Sequence, residues 1–213
     1  MAVKQHEKTH GLGSVSVFIE HCRVVEQDSV SFRQGKRRKS SSDTDFSFCA
    51  GSLISATQVL TAAHCLSDLH PVYLNNYVVV VAAHYSNDTN AKRFQVKSIR
   101  FHYDYDENSY LNDIALVELS TPVDLTDPRI GIICLPRTEN PSNYPTIGEK
   151  GFIAGWGQVH EDRPMSSTLQ QAEIPIISNS NPFCSEYIVD RRLQVCAGLI
   201  EGGRDTCQGD RYE

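Results

Sequence analysis

Three short stretches of this chain carry residue types that could do chemistry together. In Leu60-Thr61-Ala62-Ala63-His64-Cys65 a lone histidine follows two small residues and stands beside a cysteine, at the end of a β-type run from Gly51 to Thr61. An imidazole placed there can serve as a general base near neutral pH, as half of a metal pair, or as a satisfied core residue. In Asn112-Asp113-Ile114-Ala115-Leu116 a carboxylate stands immediately before an alternating apolar strand. The third stretch, Asp205-Thr206-Cys207-Gln208-Gly209-Asp210, is a compact polar turn. Taken singly, each stretch has an ordinary reading: a satisfied histidine, a surface-turn carboxylate and a polar loop.

Elements able to position these residues can be read from the period-two pattern. Ser29 to Phe32, Phe46 to Ile54, Gln58 to Thr61, Tyr77 to Ala83, Arg93 to Ile99 and Ile114 to Leu119 are short β-type runs separated by polar turns. Six such runs predict a small antiparallel barrel over about 29–120. Between Ser120 and Lys150 the sequence turns to Pro, Thr, Asn and Gly, which reads as a long crossing between two barrels. A second set follows at Phe152 to Gly157, Leu169 to Ile176 and Gln194 to Gly198, within a unit of about 150–213. No helical stripe competes with this all-β reading. Residues 1–28 show no periodicity and remain unassigned.

The chain has 213 residues and a net charge of -6, which argues against a nucleic-acid or anionic-membrane surface. The basic run Lys36-Arg37-Arg38-Lys39 leads into Ser-rich polar sequence and reads as an exposed loop. Seven cysteines with no Cys-x-x-Cys pair point to disulfides and an oxidising compartment rather than to a zinc site. Residues Met1 to His10 contain no apolar core of an export signal, and no apolar run is long enough to span a bilayer. The acidic loop His102-Tyr103-Asp104-Tyr105-Asp106-Glu107 reads as solvated.

Taken together, the stretches around His64, Asp113 and Gly209 resemble those of the trypsin-like (chymotrypsin-fold) serine proteases, and the resemblance runs from Ser29 to Asp210. It implies two antiparallel six-stranded β-barrels, of which the second is incomplete here, and a protease domain over 29–213. It implies His64 as the base and Asp113 as its orienting carboxylate. Gly209 takes the oxyanion-hole position, and Asp205 the floor of a primary pocket that favours substrates cut after Arg or Lys. Asp210 would pair with an N-terminal amine freed by cleavage, for which Arg23-Val24-Val25 is a weak match because Glu26-Gln27 stand where two glycines belong. The resemblance also implies the bridges Cys49–Cys65 and Cys184–Cys196, and leaves Cys207 a free thiol. Cys134 is where some members tether a propeptide, which makes Cys22 a candidate partner.

One part of the pattern is missing. Where the family continues Ser-Gly-Gly-Pro, this sequence reads Arg211-Tyr212-Glu213. A guanidinium stays protonated and cannot accept an acyl group. The expectation is therefore a family member inactive as written, ending before its serine and later strands through truncation of the chain or of its gene model. The alternative is a non-catalytic homologue acting as a binding or regulatory module. The resemblance implies protein or peptide substrates and serine protease inhibitors as partners, an extracellular location, and no metal or cofactor.

Asn87-Asp88-Thr89 is the sole Asn-x-Ser/Thr sequon, and it lies in polar sequence between two predicted strands. Protein secreted by eukaryotic cells is expected to carry a glycan there. Peptide mapping before and after glycosidase treatment checks this, and an unmodified Asn87 contradicts it.

Overall fold

The computed structural model describes residues 17–19, 29–34, 46–69, 74, 76–135, 145–157 and 165–200. Six strands close a barrel in the order β2-β3-β4-β7-β6-β5. They are β2 (Ser29–Gln34), β3 (Phe46–Ser55), β4 (Gln58–Thr61), β5 (Tyr77–Val81), β6 (Lys92–Phe101) and β7 (Ala115–Leu119). Every neighbouring pair is antiparallel, and the β2–β5 pairing closes the ring. Among the described residues the second unit is a four-stranded sheet, β1-β8-β9-β10, built from β1 (Val17–Ile19), β8 (Lys150–Gly155), β9 (Gln170–Ile177) and β10 (Cys196–Ala197).

Alternation decides which side chains enter the barrel. In β7 the burial runs in and out along Ala115, Leu116, Val117, Glu118 and Leu119, so Ala115, Val117 and Leu119 join the core while Glu118 stays outside. Leu53, Val59 and Leu66 fill the centre with them, each at most 1% exposed. Strand β5 departs from this rule because both of its faces are covered. Val79 and Val81 point into the barrel core, whereas Val78 and Val80 pack with Ala83 against Trp156 and Leu169 of the second unit. That is why Tyr77-Val78-Val79-Val80-Val81 is apolar without interruption.

Backbone and indole hydrogen bonds reinforce this junction. The His84 carbonyl accepts from the Leu169 N–H at 2.8 Å and from Trp156 Nε1 at 3.2 Å. Ser86 donates to the Ser167 carbonyl at 2.8 Å, and Tyr85 forms an antiparallel bridge with Thr168. Inside the second unit, Ile153, Ile174, Ile176 and Ala197 make a smaller core.

Two elements had no announcement in the periodicity. Strand β1 comes from the unassigned residues 1–28 and pairs antiparallel with β8, Phe18 opposite Phe152. Helix α1 (Pro182–Ser185) is one turn, set by local chemistry: Asn181 caps it by accepting from the Phe183 N–H at 3.0 Å, and Pro182 opens it. Among the described residues no helix is long and apolar enough to cross a membrane.

Leu53 is 0% exposed in the barrel centre, so Leu53→Ala is expected to cost about 2–5 kcal/mol. Truncating Lys97, paired with Glu118 at the surface, to Ala should leave stability nearly unchanged. Denaturant midpoints of the two variants check the contrast, and equal losses would contradict this account of the core.

Candidate active site

Strand register brings the two central residues together. Thr61, the last residue of β4, faces Ala115, the first of β7. His64 lies three positions beyond that rung and Asp113 two positions before it, so both emerge at the same end of the barrel, although 49 residues separate them in the chain. The backbone after Thr61 folds into a turn in which the Leu66 and Ser67 N–H groups both bond the Ala63 carbonyl at 3.0 Å. Ala63 is fully buried; its methyl leaves room for the turn to sit against the core. Cys65 bonds Cys49 across the β3–β4 hairpin, with Cα atoms 6.0 Å apart. Closing this loop contributes about 3 kcal/mol in the chain-entropy view.

On the opposite side, the Ile114 N–H bonds the Asn112 carbonyl at 2.7 Å, a tight turn centred on Asp113 that aims its side chain at the histidine. Asn112 occupies the left-handed region at φ 56°, which a short polar side chain tolerates better than most. Its amide also donates to the Asp104 carbonyl at 2.9 Å, holding the loop in place.

His64 Nδ1 lies 2.6 Å from Asp113 Oδ2, and the His64 backbone N–H donates to Oδ1 at 2.8 Å. Both carboxylate oxygens are thus engaged by one residue. The imidazole is 5% exposed and the carboxylate 12%. Burial is the largest single influence on the Asp113 carboxyl and would raise its pKa. The hydrogen bond from the ring, the charge of His64 and the bond from its backbone N–H together outweigh that, and the pKa is lowered. With the carboxylate ionised, Nδ1 is the nitrogen that donates to it, which leaves Nε2 on the other side of the ring as the position from which a base would act.

Two tyrosines of the same loop complete the surroundings. The Tyr110 ring stands edge-on to His64, centroids 5.8 Å apart and planes at 85°, with its own backbone at φ 53°. Tyr105 packs on the barrel core; burial first, and then the charge of Asp113, push its hydroxyl up to about 12. Neither tyrosine was marked by a motif. The Asn before Asp113 was the available signal for the left-handed turn, whereas nothing in the sequence pointed Tyr110 at the histidine.

Cys49, His64 and Cys65 bring three donor atoms within 4.8 Å of one another. The two sulfurs are joined to each other, so this group offers no thiolate for a metal. Elsewhere, Cys184 of α1 bonds Cys196 of β10. Cys134 is disulfide-bonded as well; Cys22, a candidate partner, lies outside the described residues, as does Cys207. Also outside them are Arg23, Val24, Asp205, Gly209, Asp210 and Arg211. Asn87 is exposed, in a turn where the Asp88 N–H bonds the Tyr85 carbonyl at 3.0 Å.

The trypsin family model matches residues 24–211. Coagulation factor XII of Cavia porcellus is 37% identical over 172 residues, covering 76% of this chain and 28% of that protein. Serine protease 56 of Mus musculus is 36% identical over 165 residues, covering 76% and 26% respectively. Venom serine protease Bi-VSP of Bombus ignitus is 34% identical over 172 residues, covering 76% and 46%. The chain therefore spans less than half the length of each of these relatives.

A lowered carboxyl pKa in the folded state means that Asp113 adds stability above the ordinary aspartate pKa of about 4, lost as pH falls through the folded value. Asp113→Asn is expected to cost about 1–3 kcal/mol at neutral pH. The gap between the two proteins should narrow as pH falls below about 4. Denaturation midpoints measured across that range check the sign; a gap that widens in acid contradicts it.

Proposed function

This chain belongs to the trypsin family of serine proteases, and from that premise we propose that its site is built for endopeptidase chemistry on protein substrates cut after Arg or Lys. The carrying observation is the double hydrogen bond of His64 to Asp113. In this reading Asp113 holds the imidazole in one tautomer and stabilises the imidazolium that forms when Nε2 takes a proton from the nucleophile. The same nitrogen then returns the proton to the leaving amine, and a water repeats the cycle to release the acyl group.

Gly209 is assigned to the oxyanion hole, where a donor is worth about 3–4 kcal/mol of barrier. Asp205 is assigned to the pocket floor, where its carboxylate would receive the cationic side chain before the cut bond. Cleavage after Arg23 would free the Val24 amine to pair with Asp210; the family match begins at that residue. We assign 29–213 to the protease domain and the chain to an oxidising, extracellular route, which the disulfides favour.

Position 211 carries Arg where the family nucleophile stands, and we infer that the chain as written does not hydrolyse peptides. That same residue favours a second reading, a non-catalytic homologue that binds protein partners or inhibitors. The two differ in what His64 does: a binding module keeps its partner when His64 is replaced by Ala.

The chain as written should show no hydrolysis of Arg or Lys esters above background. Replacing Arg211-Tyr212-Glu213 by Ser-Gly-Gly-Pro and the family strands that follow, with a free amine at Val24, is expected to give cleavage after Arg and Lys. Asp205→Ala in that background should remove the preference. Turnover by the chain as written, blocked by a serine-directed phosphonate, would overturn the proposed inactivity.

A further inference from the structure

The loop joining β6 to β7 displays one phenol and half-buries another within the same acidic run. Tyr103 is 88% exposed, at the tip of a turn closed by the Tyr105 N–H on the His102 carbonyl at 3.1 Å. The His102 ring stacks on it, with centroids 4.8 Å apart and planes at 26°, which braces the ring from one side. Asp104, Asp106 and Glu107 are all exposed beside it, and the Asp104 carboxylate raises the pKa of its hydroxyl. Tyr105 shares those neighbours in sequence, yet is packed on the barrel core.

We propose that Tyr103 is a tyrosine O-sulfonation site, modified by a sulfotransferase that selects an exposed phenol flanked by carboxylates. The phenolic oxygen forms the new O–S bond, its proton passes to a base of the transferase, and the S–O bond to the phosphate of a nucleotide phosphosulfate donor breaks. The nucleotide departs with that electron pair. Carboxylates on the acceptor side suit a transferase whose groove is cationic, as a groove binding that donor must be. The modification replaces a hydroxyl donor by acceptor oxygens bearing a fixed negative charge, on the loop that also delivers Asp113. The inference rests on the extracellular route proposed above.

Incubating the purified full chain with tyrosylprotein sulfotransferase and a radiolabelled phosphosulfate donor, followed by peptide mapping, tests the acceptor directly. Label is expected on Tyr103 and not on Tyr105, with loss of label in Tyr103→Phe. Protein from secreting cells should carry the same group, distinguished from phosphate by accurate mass. No label in vitro, label on Tyr105 instead, or phosphate at Tyr103 in cells would each overturn the proposal. So would a secreted chain with the Cys49–Cys65 bridge intact and Tyr103 bare, and that result would leave the protease reading standing. A chain retained in the cell with reduced cysteines would count against the extracellular route, and the in vitro labelling then decides Tyr103 alone.

Discussion

The register in which Thr61 faces Ala115 is the constraint on which the site depends. Strands rise about 3.4 Å per residue and alternate faces, so a slip of one position would do two things at once. It would turn either Val59 or Val117 out of the core, and it would carry Asp113 away from the His64 ring. Burial therefore enforces the register that holds Asp113 against His64. The neighbouring pairings hold it from both sides: Phe101 of β6 also meets Ala115, and the Cys49–Cys65 bridge ties the histidine turn back to β3.

Charge is handled differently at this end of the barrel than on its flanks. Lys97–Glu118 and Lys150–Glu173 sit in solvent, with their lysines 59% and 60% exposed, where pairing is worth at most about 1 kcal/mol. Asp113 is mostly withdrawn from water, so desolvation works against its ionised form. Two donors from a single residue offset that cost. The consequence is an acceptor fixed in direction as well as in charge, which solvent-facing pairs do not provide.

Much of this was legible in the sequence because burial imposes a period. The six barrel strands coincide with the predicted runs to within a few residues; β4 and β7 set a buried face against a more open one, whereas β5, whose apolar run is unbroken, stood out by β-branched content instead. What escaped detection lacks that periodic imprint. Three residues of β1 are too few to show alternation, and the single turn of α1 follows from an Asn-Pro cap rather than from a stripe. Tyr110 reaches His64 because its backbone takes a left-handed conformation, which residue type gave no reason to expect. His64 and Asp113 were readable through their neighbours: small residues before the histidine, and a polar Asn before the aspartate that permits the turn.

The two-sided burial of β5 bears on how this protein can vary. A strand with one wet face drifts freely at every second position, and related sequences accumulate polar exchanges there. Val78 and Val80 serve the junction with the second unit while Val79 and Val81 serve the barrel, so β5 has no such neutral positions among these four. Exchange is confined to β-branched residues of similar volume, and a smaller residue on one face opens a gap in a different compartment from one on the other. The shared wall is thus the segment with the narrowest permitted vocabulary. Divergence between relatives should gather in the loops that flank it.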